Sequence, residues 1–162
     1  MQENDYYRSF GDRYADGERR LAQLLHSGGV KPQDLPDYIH ASEVIDVMDE
    51  LNDALAEAGV TISESEDLAS AEGLDELLQD LPSRAVAVEI RKLLHADSMT
   101  RWAPNDLDDF AALGVALPYC DIVVTERRWR HLIQRAGLDA RFGTEILSDL
   151  RKLPQALSEY AA

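Results

Sequence analysis

Apolar residues recur along most of this chain at helical spacing. Leu21, Leu24 and Leu25 do so in a segment from Ser9 to Leu25, and Gly28-Gly29 supplies the stop. Lys31 to Asp37, with Pro32 and Pro36, reads as a connector. Ser42 offers an N-cap, after which Val44, Val47, Met48, Leu51, Leu55 and Ala58 form one face of an amphipathic helix ending at Gly59. Thr61 to Ala71 is acidic and serine-containing, a loop or a short surface helix, and Leu74 to Gln79 predicts a further helix. Pro82-Ser83 punctuates the chain, and Ser83 can cap a helix that turns Val86, Ile90, Leu93 and Leu94 inward. His95 to Pro104 reads as a loop containing Trp102.

The pattern changes after Asn105. A helix to about Leu117 places Leu107, Phe110, Leu113, Gly114 and Leu117 on its buried side, with Pro118 as its end. Ile122-Val123-Val124 is β-branched and wholly apolar, as a buried parallel strand requires. Arg127 to Arg135 resumes helix with Trp129, Leu132 and Ile133 inward, closed by Gly137. Thr144 to Leu147 reads as a second strand, and Pro154 to Tyr160 as a last helix. Helix, strand, helix, strand, helix is an α/β arrangement: a helix-rich chain with a small parallel sheet in its C-terminal half.

Charge alters this picture more than length does. Thirty-one acids against sixteen Lys and Arg leave 162 residues with a net charge of -15. A protein that bound nucleic acid by neutralising phosphates would ordinarily be basic. The acids therefore either solvate the surface or gather where they hold hard cations. The single cysteine, Cys120, excludes an internal disulfide and reads as a small buried residue. No apolar run approaches the roughly 20 residues of a membrane span, and the polar start predicts a cytoplasmic protein without membrane partners.

Candidate chemistry collects at the predicted sheet. Ligands of a parallel α/β sheet gather at the carboxyl ends of its strands, which is where Thr125-Glu126 follows Ile122–Val124. Asp106 and Asp109 lie three apart in a first helical turn, on one face and beside the positive end of the helix. Such a set suits a partly hydrated divalent cation, and paired cations serve phosphodiester cleavage. Singly, each residue has a plainer use: Asn105 as an N-cap, the aspartates as dipole partners, Glu126 as a helix-initiating acid, Asp121 as a turn cap. Arg127, Arg128 and Arg130 around Trp129 are either phosphate contacts or a solvated helix face. The four histidines are scattered, without zinc-ligand spacing.

Asn105-Asp106-Leu107-x-Asp109, followed by Ala116-Leu117-Pro118-Tyr119-Cys120-Asp121-Ile122-Val123-Val124-Thr125-Glu126, resembles the C-terminal part of PIN-like nuclease domains in uncharacterised actinobacterial proteins. Leu81-Pro82-Ser83-Arg84, Trp102, Gly143-Thr144 and Leu153-x-x-x-Leu157 fit the same group, and the resemblance covers roughly residues 74 to 157. It implies a Mg²⁺- or Mn²⁺-dependent ribonuclease. Asp106, Asp109 and Glu126 would be catalytic metal ligands, and Thr125, Arg127 and Arg128 would contact the RNA substrate. It also implies a division into a helical segment and connector, 1–38, and a PIN-like region with its preceding helices, 39–162. The family's opening strand ends in an aspartate, and Met1 to Tyr38 holds no apolar run of that kind. The expectation is accordingly an incomplete PIN-like fold. Either it is a ribonuclease or a fragment of one, or it is a non-catalytic interaction module that docks a second copy or a separate N-terminal half.

Overall fold

The structure, a computed structural model, describes residues 10–60 and 70–160. Five helices come first: α1 (Phe10–Ser27), α2 (Leu35–Ala58), α3 (Ala71–Asp80), α4 (Pro82–Ala96) and α5 (Asp106–Tyr119). Then follow β1 (Ile122–Val124), α6 (Arg127–Ala136), α7 (Leu138–Phe142), β2 (Glu145–Leu147) and α8 (Leu153–Tyr160), with a 3-10 turn at Leu150–Lys152. The strands pair in parallel, Val123 opposite Ile146. The fold is helix-rich with a small parallel sheet, as the alternation of patterns predicts.

Helix α4 occupies the centre and packs against α2, α3, α5 and α6. Its Val86, Ile90 and Leu94 meet Phe110, Leu113 and Leu117 of α5, Trp129, Leu132 and Ile133 of α6, and one buried residue from each strand, Val123 and Ile146. Full burial of one such side chain is worth about 1.5–3 kcal/mol, so this cluster dominates the stability. Ala15 of α1 belongs to the same cluster. At Gly11 a Cβ would lie 2.3 Å from the Pro104 carbonyl oxygen, so only glycine lets α1 approach the loop before α5 this closely. A second cluster joins Leu21 to Leu35, Ile39 and Val88.

Several boundaries differ from the sequence pattern. Helix α2 begins at Leu35, seven residues before Ser42, and the expected division after residue 38 falls inside it. Pro36 sits in its first turn, where a missing N–H costs nothing, and burial of Leu35 and Ile39 draws the segment into helix. Leu81 and Pro82, rather than Ser83, start α4, which runs through His95 to Ala96. Helix α5 continues one residue past Pro118, whose absent N–H falls in the final turn. Of β1 only Val123 is buried, and Val124 is 37% exposed, since a sheet of two strands covers few of its own residues. Cys120 is exposed rather than buried, because it caps α5 outside the core. The segment expected as a loop or a short surface helix at Thr61 to Ala71 lies, for residues 61–69, outside the described residues.

Candidate functional site

Asp106 and Asp109 do share the first turn of α5, and both face α6. Asp106 is 1% exposed. One of its oxygens accepts from the Ala103 backbone N–H at 2.7 Å and the other from Arg128 Nη1 at 3.2 Å. It therefore ties the loop before α5 to the helix start and anchors α6 as well, while Asn105 makes no side-chain cap bond. Asp109 Oδ2 accepts from the Trp129 indole N–H at 3.0 Å. The Arg128 guanidinium in turn lies 4.9 Å from the Trp129 ring centre. Two adjacent residues of α6 thus clasp two acids of α5, giving the buried indole N–H the partner such groups require.

Glu126 and Thr125 stand apart from this clasp. Thr125 extends the ladder of β1, its N–H donating to the Leu147 carbonyl at 2.9 Å. Glu126 is exposed at the N-cap of α6, its side chain making no cap bond. Among the described residues no three His, Cys, Asp or Glu side chains converge as a metal site would require. A hard cation needs several convergent oxygens; each oxygen of Asp106 already accepts from a protein donor, and no third acid converges on Asp106 and Asp109 among the described residues.

The arginines separate too. Arg128 turns to Asp106, whereas Arg127, Arg130 and His131 share another stripe of α6 and line a cleft of about 450 Å³ with Ser148, Asp149 and Lys152. The cleft opens where β1 runs into α6 and β2 into the following turn, the carboxyl edge of the parallel pair. Asp149 is held by Arg151, whose Nη2 lies 2.8 Å away and whose own backbone N–H also donates to it. Those hydrogen bonds keep its carboxyl below the usual range, with Lys152 and Arg127 acting in the same direction.

A second polar cluster was not anticipated from the sequence. Arg91 of α4 is sandwiched between Glu18 of α1 and Glu43 of α2, each at 2.7 Å. Arg84 reaches Glu43 at 3.1 Å and His95 Nε2 reaches Glu18 at 2.6 Å. Glu18, Glu43 and Arg91 are all buried. Burial opposes the Arg91 charge, but Glu18 and Glu43 more than offset it, and the guanidinium pKa is raised. The Tyr14 phenol is pushed up strongly, first by burial and then by Glu18. The signal was available: Glu18 lies three residues before Leu21, Glu43 four after Ile39 and Arg91 three after Val88, charges on three apolar stripes. From this network an aromatic series runs from His95 through Trp102 and Phe110 to Trp129. Trp102 is therefore a core residue joining the two polar regions.

No family model, no curated protein and no solved structure matches this chain. Among the described residues no helix is long and apolar enough to cross a membrane.

Proposed function

We propose that this chain is a non-catalytic, PIN-like interaction module in which the acids of α5 join helix to helix. The observation that carries this reading is Asp106, buried to 1% with one oxygen on Ala103 N–H and the other on Arg128. A carboxylate serving a hydrated cation keeps lone pairs turned to the metal; on Asp106 each oxygen gives one to a protein donor. The alternation of helices with two parallel strands supports the PIN-like part of the reading. The partner side rests on α2. Beyond Val44 its apolar residues lose their cover: Val47, Met48, Leu51 and Leu55 are half-buried and Ile45 is 71% exposed. That stripe suits a second polypeptide, either another copy or a separate N-terminal half.

The opposing reading is cation-dependent RNA cleavage by Asp106, Asp109 and Glu126, with Thr125, Arg127 and Arg128 on the RNA. One feature favours it: Asp109 Oδ1 and the exposed Glu126 carboxylate make no hydrogen bond among the described residues. Calorimetric titration of Mn²⁺ into wild type and an Asp106→Ala/Asp109→Ala variant, followed by a single-stranded RNA cleavage assay, separates the two. The module reading expects neither binding nor cleavage that depends on the acids. Saturable Mn²⁺ binding and cleavage, both lost in the variant, establish the nuclease instead.

A further inference from the structure

We infer that the cleft between α6 and the turn after β2 binds a small phosphate-bearing molecule. Arg127 and Arg130 enter it from one stripe of α6, and Lys152 faces them from the 3-10 turn. None of these three has a carboxylate within 4.0 Å among the described residues, as is also true of Arg101, Arg135 and Arg141, whereas Arg19, Arg84, Arg91, Arg128 and Arg151 all do. In a chain of net charge -15, cations left without an acid at one edge call for an anion from elsewhere.

Arg130 adds a second, independent observation. Its Nε is buried without a hydrogen-bond partner, and its Nη1 reaches only Ser148 Oγ, at 3.4 Å. The single long bond to Ser148 leaves the guanidinium with donor capacity for an acceptor in the cleft. Phosphate offers oxygens in the geometry that the arginine fork accepts. Arg127 occupies the first turn of α6, where the helix dipole also favours an anion. The one acid lining the cleft, Asp149, is hydrogen-bonded to Arg151 and feels Lys152 and Arg127 only through space.

Size and charge select a small molecule over a nucleic-acid strand. The cleft, about 450 Å³, accommodates a phosphate with a small organic group. A nucleic-acid strand binds through successive phosphate contacts, which the overall charge of -15 opposes. Free phosphate and a phosphate monoester present the same head to the three cations, and the size of the cleft favours the monoester. This inference is independent of any role for Asp106 and Asp109.

The test titrates inorganic phosphate, ribose 5-phosphate and a short single-stranded RNA without terminal phosphate into the whole protein, by calorimetry. The expected result is saturable binding of the first two, tighter for ribose 5-phosphate. Binding should weaken about tenfold or more in Arg127→Gln/Lys152→Gln and stay unchanged in Arg20→Gln, an exposed cation on α1. Both cleft substitutions lie at exposed positions, so the variant is expected to fold, which its circular dichroism spectrum checks. Equal affinity of the two phosphates leaves free phosphate as the ligand. Absence of saturable binding, equal weakening in Arg20→Gln, or RNA binding tighter than ribose 5-phosphate and lost in the cleft variant would each overturn the inference.

Discussion

The charges of α1, α2 and α4 and those of α6 are put to opposite uses. Around Arg91 every strong charge meets an opposite one within 3.1 Å, and Glu18, Glu43 and Arg91 lie away from water. Along α6, Arg127 and Arg130 stand at a cleft without a carboxylate within 4.0 Å among the described residues, whereas Arg128 is spent on an internal acid. A buried ion cluster gains little net stability over apolar packing, but it penalises any arrangement that separates its members. It therefore fixes how three helices meet. Unspent charge at a strand edge contributes nothing to the fold and remains free for a ligand. Within one chain, paired burial marks structure and unpaired convergence marks a site.

The largest way to break the contrast is to remove the centre of the buried cluster. Arg91→Leu leaves buried Glu18 with only His95 and buried Glu43 with only the half-buried Arg84, and urea unfolding should show a loss of about 3–5 kcal/mol. Tyr14 offers a gentler, pH-dependent probe. Its phenol is raised above its ordinary value near 10.0, so the folded state keeps a proton that the unfolded chain gives up. That stabilisation is complete below about pH 10 and shrinks as pH rises beyond it. Urea midpoints of wild type should thus fall on the alkaline side more steeply than those of Tyr14→Phe. At neutral pH the same substitution should cost little, since the buried hydroxyl makes no hydrogen bond. The smallest effect belongs to the cleft: Arg127→Gln/Lys152→Gln should change stability by no more than about 0.5 kcal/mol for each substitution while weakening phosphate binding.

The regular elements were largely legible in the sequence, and the reason is periodicity. The Trp129-Leu132-Ile133 stripe and Gly137, with φ of 70°, mark both the inner face and the end of α6. The start of α2 was not legible, because Pro32 and Pro36 suggest a connector and only tertiary burial of Leu35 and Ile39 shows which proline begins the helix. The candidate site was half legible. Spacing placed Asp106 and Asp109 in one helical turn, but it cannot say what faces that turn. Arg128 and Trp129, some twenty residues on, arrive there only through the packing of α6 against the start of α5. The same limit applied to Arg127 and Arg128, neighbours in sequence that point into different surroundings. Lys152, which completes the cleft, carries no signal of its own in the sequence.

Whether the acids of α5 belong to the fold or to a metal is decided most directly by thermal unfolding of wild type and Asp106→Asn, each with and without Mn²⁺. Carboxylates gathered for a cation repel one another when it is absent, so neutralising one stabilises the metal-free protein. A carboxylate that holds Ala103 and Arg128 does the reverse. The predicted result is a lower Tm for Asp106→Asn, reflecting a loss of about 1–3 kcal/mol, and no rise of the wild-type Tm with Mn²⁺. A higher Tm for Asp106→Asn without metal, together with a Mn²⁺-dependent rise confined to wild type, would contradict the account.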